Sequence, residues 1–154
     1  MQVYRIALAK YAGKLVASGN AARWSSNDVQ VIYTASSRSL ACLENVVHRS
    51  QDDLLMLEFV VLTIDCPDTI KIETVNLNIL PANWAEYRQL YITQKIGDTW
   101  VKEAKTAVMK VPSAIVNEEV NYLLNPNHPD FKRIKLIKTQ PFTFDGRIKQ
   151  GPSK

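Results

Sequence analysis

The spacing of apolar and polar residues predicts a chain that mixes strands and helices. In the segment 2–8, side chains alternate so that Tyr4, Ile6 and Leu8 share one face and Arg5 lies on the other, which is the period-two pattern of a strand. Further segments rich in β-branched and aromatic residues, bounded by turn residues, predict more strands. In chain order, the predicted strands cover 2–8, 29–35, 59–64, 69–77, 106–111, 114–116, 133–137 and 142–144.

A predicted helix over 39–49 carries an acidic residue on the face that should pack on the core. Leu40, Leu43, Glu44 and Val47 follow the i, i+3, i+4, i+7 spacing of an inward helix face. Burying an ionised carboxylate without a partner costs several kcal/mol, so Glu44 must be paired, protonated or exposed to a cleft. Each outcome makes Glu44 a candidate functional residue.

A second helix is predicted over 83–95. Asn83 supplies its N-cap, Glu86 stands at the capping-box position, and Gly97 follows its end. The polar segment 117–130 is predicted to be an irregular connection. Because the elements neither alternate strictly nor repeat, their order favours an α+β fold, with a single-domain mixed β-sheet and flanking helices.

The composition suits one compact domain. The chain has 154 residues, 46% of them hydrophobic, which is enough to bury a sizeable core. We expect this domain to cover 1–150, followed by a short C-terminal tail, 151–154. The sequence has no apolar stretch typical of a signal peptide or a membrane span, so we expect a cytoplasmic protein. Two cysteines, Cys42 and Cys66, do not suggest a disulfide framework.

The net charge of +4 raises the question of nucleic-acid binding. Lysines and arginines are spread along the chain, and the densest cluster lies in 132–138. Its basic residues alternate with Ile134 and Leu136, as they would on the solvent-facing side of a half-buried strand. No zinc-ligand spacing, DNA-reading helical motif or aromatic RNA-binding signature accompanies it. The pattern argues against direct nucleic-acid binding and predicts no metal site, although a non-catalytic nucleic-acid or interaction module stays as an alternative.

The candidate chemistry lies between Arg5 and Glu44. Arginine offers a planar fork for diphosphate oxygens, and tyrosine offers a ring that stacks on a heterocycle. A carboxylate stabilises positive charge that develops on a sugar during glycosidic cleavage. The glycines lack phosphate-loop spacing, so side chains would have to hold any nucleotide. Together these residues predict a site that splits the glycosidic bond of a nucleotide, although singly Arg23 also fits an ion pair and Tyr33 a core position.

Several stretches, spread over nearly the whole chain, carry a family resemblance. They are Val3-Tyr4-Arg5-Ile6, Gly19 with Ala22-Arg23-Trp24, Val31-Ile32-Tyr33-Thr34, Ser39-Leu40-Ala41-Cys42-Leu43-Glu44, Val111-Pro112-Ser113-Ala114 and Asn121-Tyr122-Leu123-Leu124-Asn125-Pro126-Asn127-His128-Pro129. These stretches resemble the RES domain. That family is named for an arginine, a glutamate and a serine, which here would be Arg23, Glu44 and Ser113.

The resemblance implies the toxin of a bacterial RES–Xre toxin–antitoxin pair, with a fold similar to that of ADP-ribosyltransferase toxins and NAD as its substrate. It implies catalytic roles for Glu44, Arg23 and Tyr33. It also implies a set of NAD-binding positions. Arg5 and Arg23 would lie at the diphosphate and its nearby ribose, Tyr33 at the nicotinamide and Ser113 at the site wall. Further binding candidates are Arg38, Lys10 and Trp24.

The reaction implied by this resemblance is cleavage of the nicotinamide–ribose bond by an NAD phosphorylase or glycohydrolase. Arginine-modifying transferases carry Gln or Glu two residues before the catalytic glutamate, where this chain has Cys42. The difference favours phosphate, as a co-substrate, or water as the acceptor, and protein ADP-ribosylation is the alternative. The implied partner is an Xre-family antitoxin with a helix-turn-helix, in a hetero-oligomeric complex.

Overall fold

A seven-stranded mixed β-sheet runs through the protein, seen here in a computed structural model that describes residues 1–149. Its strands are β1 Gln2–Leu8, β2 Ile32–Ala35, β3 Phe59–Asp65, β4 Ile72–Thr74, β5 Val108–Pro112, β6 Val120–Leu124 and β7 Lys135–Phe142. They lie in the order β4-β5-β6-β2-β1-β3-β7. The β4–β5 pair is parallel and the other pairs are antiparallel.

Helices accompany this sheet: α1 Arg38–His48, α2 Gln51–Met56 and α3 Leu90–Glu103. The predicted α+β fold is therefore confirmed. Within residues 1–149, no helix has both the length and the apolar character that crossing a membrane requires. The predicted C-terminal tail, 151–154, lies outside the described residues.

The sheet consists of two halves that meet at one pair of residues. All seven residues of β1 pair with β3, whereas β1 meets β2 at Tyr4 and Ala35. Where β1 leaves β2, the side chain of Asn45 in α1 donates through Nδ2 to the carbonyl oxygen of Ile6 at 3.3 Å. Helix α1 therefore lies across the place where the two halves part, which we call the junction.

Both faces of the sheet are packed. Strand β3 is buried from its first residue to its sixth, as expected of a continuous apolar run. Along β1, Val3 joins the core on one face, while Ile6 joins the core beneath α1 on the other. A further core cluster packs α3 against β5 and β6 through large side chains such as Trp100 and Leu123.

The strand predictions were right for β1 and β3 and wrong in three places. The segment 117–130 contains β6, a central strand that pairs with both β2 and β5. The predicted strand 114–116 is a turn, because the Ser113 hydroxyl accepts hydrogen bonds from the N–H groups of Ile115 and Val116 at 3.1 Å. The two strands predicted over 133–144 form the single strand β7. The other predicted strands are present with shifted ends.

The predicted helix over 83–95 is displaced along the chain. A 3₁₀ turn, Tyr87–Gln89, precedes α3, which continues through Gly97. The helix ends where Ala104 adopts a left-handed conformation with φ of 47°. Gly97 therefore does not end a helix. A Cβ atom at this position would lie 1.8 Å from the carbonyl oxygen of Trp24, so glycine is required for close packing.

The inward face of α1 also differs from the prediction. Leu40 and Ala41 are buried, whereas Leu43 and Val47 are 41% and 48% exposed. The reason is the contact of Asn45 with β1, which turns the helix so that Ala41 and Asn45 face the sheet. Glu44 lies at the edge of this face rather than at its centre.

Candidate active site

Glu44 reaches the sheet from α1 and meets an amide. Ser37 caps the helix by accepting a hydrogen bond from the N–H of Leu40 at 3.0 Å, which fixes where α1 begins. One carboxylate oxygen of Glu44 accepts a hydrogen bond from Nδ2 of Asn121 in β6. The other lies 3.9 Å from Nε2 of His48, an exposed side chain. Because the Glu44 side chain is 28% exposed, its carboxylate is positioned by the fold and still open to solvent.

Arg23 brings positive charge to the same region. Its Nη1 donates to the carbonyl oxygen of Trp84 at 3.2 Å, and the guanidinium lies 5.8 Å from the centre of the Trp84 ring. Burial lowers the pKa of Arg23, and the nearby groups Glu44 and Tyr33 raise it in part. These interactions place Arg23 within electrostatic reach of Glu44. Among residues 1–149, no carboxylate lies within 4.0 Å of the guanidinium.

Tyr33 holds the loop that carries Arg23. Its hydroxyl oxygen accepts a hydrogen bond from the N–H of Trp24 at 3.0 Å and lies 3.0 Å from the hydroxyl of Ser25. Burial raises the pKa of Tyr33 to about 12. The side chain therefore stays a neutral phenol at physiological pH and does not serve as a base.

Helix α3 fixes the other side of this loop. The hydroxyl of Thr93 donates to the carbonyl oxygen of Arg23 at 2.5 Å, and Nε2 of Gln94 donates to that of Ala22 at 2.9 Å. The close contact of Gly97 with Trp24 adds steric confinement. The backbone around Arg23 is thus held from β2 and from α3, which preorganises its guanidinium.

The structure does not bring Arg5 into contact with this group. Arg5 shares the face of β1 that carries Val3, opposite the face beneath α1, and its Nη1 donates to the carbonyl oxygen of Val16 at 2.9 Å. It is nevertheless the next residue of β1 after the junction pair Tyr4 and Ala35. Burial lowers its pKa, and no carboxylate of the described residues pairs with it. Its role at a diphosphate stays a prediction.

Ser113 follows β5 and Arg38 begins α1, and the two side chains differ in burial. Ser113 is 3% exposed, and its hydroxyl oxygen supports the turn after β5, so the structure gives it a local structural task. Arg38 is exposed at the start of α1, with its guanidinium 5.3 Å from the centre of the Tyr4 ring. Contact of either side chain with a ligand stays a prediction.

Trp24 and Lys10 are not brought to Glu44. The Trp24 side chain is 2% exposed and packs against Trp84 with ring centres 5.9 Å apart, so its ring belongs to the core. A contact of Trp24 with cofactor stays a prediction. Lys10 is exposed in the 3₁₀ turn Ala9–Tyr11, with its ammonium 5.1 Å from the centre of the Tyr11 ring.

Asn121 is the residue that the sequence reasoning missed. It is buried, yet it lies in a strand whose other inward positions are apolar. A polar residue at such a position is a signal, because a buried amide needs partners. The signal could not be used because the segment was predicted to be a loop.

The Glu44 side chain, 28% exposed, is reached from solvent. Two surface depressions lie along β4, one lined by residues that include Lys95 and Trp100 and the other by residues that include Asn76 and Lys110. The candidate catalytic side chains line neither of them. Within residues 1–149, no group of three or more acidic, histidine or cysteine side chains could hold a metal ion. Glu44 and Arg23 offer a carboxylate and a guanidinium, an arrangement suited to an anionic molecule with a developing cationic centre.

The chain is similar to known proteins over most of its length. The model of the RES domain family matches residues 2–145. A protein of Sphingobium sp. (strain YBL2) named Prs ADP-ribosylating toxin is 37% identical over 139 residues, covering 89% of this chain and 84% of the relative. A protein of Photorhabdus laumondii named Toxin Res is 36% identical, covering 96% of this chain and 97% of the relative.

A solved structure shares the fold. It is the crystal structure of the M. tuberculosis MbcT-MbcA toxin-antitoxin complex, in which a chain matches with a TM-score of 0.73 at 17% identity, covering 92% of this protein and 84% of that chain. The family match spans nearly all the described residues, including the candidate active site. This protein is therefore a member of the RES domain family.

Proposed function

We propose that this protein is the toxin of a toxin–antitoxin system and that it consumes NAD by cleaving the nicotinamide–ribose bond. The observation that carries the proposal is the Glu44 carboxylate, held by Asn121 and within electrostatic reach of Arg23. The names of the relatives, Toxin Res and Prs ADP-ribosylating toxin, support the same chemistry, because NAD is the donor of ADP-ribose.

The proposed mechanism needs one carboxylate. Nicotinamide leaves as a neutral molecule from a cationic precursor, so no side chain has to protonate it. Positive charge then grows on the ribose, and a negative side chain beside the sugar stabilises the transition state more than the ground state. Glu44 supplies this charge. Arg23 holds the diphosphate, since a planar guanidinium without a carboxylate partner among the described residues is free to bind two oxygens of an anion.

Phosphate or water is the proposed acceptor. Cys42, two residues before Glu44, packs against the core beneath α1, and burial raises the pKa of its thiol. This position therefore offers neither the polar side chain of an arginine-modifying transferase nor a thiolate nucleophile. This difference favours a small-molecule acceptor that enters through the exposed side of Glu44.

Protein ADP-ribosylation is the second candidate function. The name of the Sphingobium relative favours it. The same site would activate the ribose, but the acceptor would be a macromolecular side chain. A third reading, a non-catalytic interaction module, predicts no NAD turnover and strongly salt-dependent nucleic-acid binding.

The proposed partner is an Xre-family antitoxin with a helix-turn-helix, bound in a hetero-oligomeric complex. The MbcT-MbcA structure, in which a chain of the same fold belongs to a toxin-antitoxin complex, supports a partner of this class. Occlusion of the Glu44 site by the antitoxin would explain how the toxin is kept inactive.

The test is incubation of the purified protein with NAD, with and without phosphate, followed by mass spectrometry. Formation of ADP-ribose-1″-phosphate identifies a phosphorylase, and free ADP-ribose identifies a glycohydrolase. Biotinylated NAD in a cell lysate, followed by a gel, detects transfer to protein.

Two variants on one helix connect the activity to Glu44. We expect Glu44→Gln to lower kcat by about 100- to 1,000-fold, as loss of an electrostatic stabiliser does. Leu43→Ala is the matched control, since Leu43 precedes Glu44 on α1 and is 41% exposed. NAD turnover by Glu44→Gln at the wild-type rate would contradict the proposed role.

A further inference from the structure

Asn121 occupies the centre of the sheet directly beneath Glu44. It pairs with Ala35 of β2 and with Val111 of β5. Ala35 in turn pairs with Tyr4, so these side chains share the face on which α1 packs. The Asn121 side chain is 9% exposed, which places a polar group where the neighbouring strands carry apolar ones.

The two ends of the Asn121 amide have different environments. Nδ2 donates to a carboxylate oxygen of Glu44. The amide is favourably oriented with its nitrogen toward the carboxylate, because the reverse orientation would place two hydrogen-bond acceptors, both oxygen atoms, against each other. Oδ1 is buried and meets no hydrogen-bond donor among residues 1–149.

A buried carbonyl oxygen without a donor is unfavourable, and most such groups in folded proteins are satisfied. Oδ1 belongs to the same planar amide as Nδ2, so a donor bound to it would lie beside the Glu44 carboxylate. A ligand that brings a hydroxyl group to this place would satisfy Oδ1 and would carry its neighbouring carbon toward Glu44.

We propose that Asn121 positions the Glu44 carboxylate through Nδ2 and accepts a hydrogen bond from a ribose hydroxyl of the substrate through Oδ1. The inference rests on the proposed cleavage of NAD and adds a residue to it. Asn121 thus links the orientation of the sugar to the orientation of the carboxylate. Because one rigid amide makes both contacts, the sugar is aligned with the charge that stabilises its cation.

The first experiment separates positioning from folding. NAD turnover and thermal unfolding are measured for the wild type, Asn121→Ala, Asn121→Asp and Leu43→Ala. We expect Asn121→Ala to lower kcat by about 10- to 100-fold, because a hydrogen bond to a charged group is lost. Asn121→Asp, which places two carboxylates next to each other, should lower kcat at least as much. Leu43→Ala, an exposed position of α1, should retain activity.

The exchanged pair Glu44→Gln with Asn121→Asp provides a structural control. It restores one amide and one carboxylate in contact, so its unfolding temperature should recover relative to Asn121→Asp alone. Its NAD turnover should stay low, because the negative charge has moved away from the sugar. Recovery of turnover together with stability would mean that the position of the negative charge does not matter, and would overturn both the proposed role of Glu44 and that of Asn121.

The contact with ligand is tested in an inactive background. In the Glu44→Gln variant the new side-chain amide keeps an oxygen that accepts from Nδ2 of Asn121, so NAD binding can be measured by calorimetry without turnover. Adding Asn121→Ala should raise the Kd for NAD by about 2- to 10-fold, the effect of one neutral hydrogen bond. An NAD analogue without the 2′-hydroxyl of the nicotinamide ribose, and one without the 3′-hydroxyl, identify the donor, since one of them should lose this dependence on Asn121.

The outcomes distinguish the two proposals. If the wild type neither binds nor consumes NAD, the proposed function fails and the role of Asn121 fails with it. If the wild type consumes NAD and the Asn121→Ala substitution changes neither kcat nor the Kd in the Glu44→Gln background, the Asn121 inference alone is overturned. Should Asn121→Ala not fold, Asn121→Asp and the exchanged pair decide the question.

Discussion

A single methyl group at Gly97 is expected to damage both the stability and the activity of the protein. In Gly97→Ala the added Cβ atom would lie 1.8 Å from the carbonyl oxygen of Trp24, whereas real Cβ atoms essentially never come within 3.0 Å of such an atom. The loop or helix α3 must therefore move by more than about 1 Å. This movement strains the hydrogen bonds that Thr93 and Gln94 make to the Arg23 loop.

Two unfavourable contributions and one favourable contribution determine the expected loss of unfolding free energy. Overpacking costs about 1 to 3 kcal/mol, and two weakened hydrogen bonds cost about 1 kcal/mol each. The better helix propensity of alanine offsets about 1 kcal/mol. The net loss of unfolding free energy is about 2 to 4 kcal/mol, which corresponds to a fall in Tm of about 5 to 15 °C for a domain of this size.

Activity should fall as well, because the loop carries Arg23. A displacement of about 1 Å at a binding group lowers turnover by about 100-fold. Thermal and denaturant unfolding measure the first effect and NAD consumption measures the second. Gly13→Ala is the matched control, since a Cβ atom at Gly13 meets nothing within 4 Å. A Gly97→Ala protein with the stability and activity of Gly13→Ala would refute the packing argument.

Two further predictions test the core and the buried phenol. Leu40→Ala should lower the unfolding free energy by about 2 to 5 kcal/mol, whereas Leu43→Ala, on the exposed side of α1, should change it by less than about 1 kcal/mol in denaturant unfolding. Burial raises the pKa of Tyr33 from 10.0 to about 12, so the neutral phenol stabilises the fold fully below pH 10 and this contribution disappears as the pH rises to 12. Tyr33→Phe should remove that part of the pH dependence, measured in a Cys66→Ser background because burial also raises the pKa of that thiol, to about 11. An unchanged alkaline profile in Tyr33→Phe would contradict this assignment.

Patterns that are local in the chain were sufficient for several elements. The alternation in 2–8 defined β1 with both of its ends, and the continuous apolar run beginning at Phe59 defined β3. The spacing of Leu40, Leu43 and Val47 predicted a helix that differs from the observed α1 by one residue at each end. The motifs of the RES domain also lie in short stretches, so the family was identifiable from the sequence.

Patterns that depend on distant partners were not sufficient. Strand β6 has polar residues around it and is a strand because β2 and β5 lie on either side. Gly97 resembled a helix end, yet it serves a contact with Trp24, which is remote in sequence. The sequence also did not show that the ring of Trp24 packs against that of the remote residue Trp84.

The sequence by itself determined the α+β class and the family and singled out Glu44 as a candidate, because each rests on residue types that lie close together in the chain. Only the tertiary structure decided what surrounds that carboxylate. It brought Asn121 to Glu44 across 77 positions of chain, drew Arg23 near and left Arg5 on the other face of the sheet. The physical reason is that side-chain periodicity is set by local backbone geometry, whereas the partner of a half-buried charge is set by how sheet and helices pack.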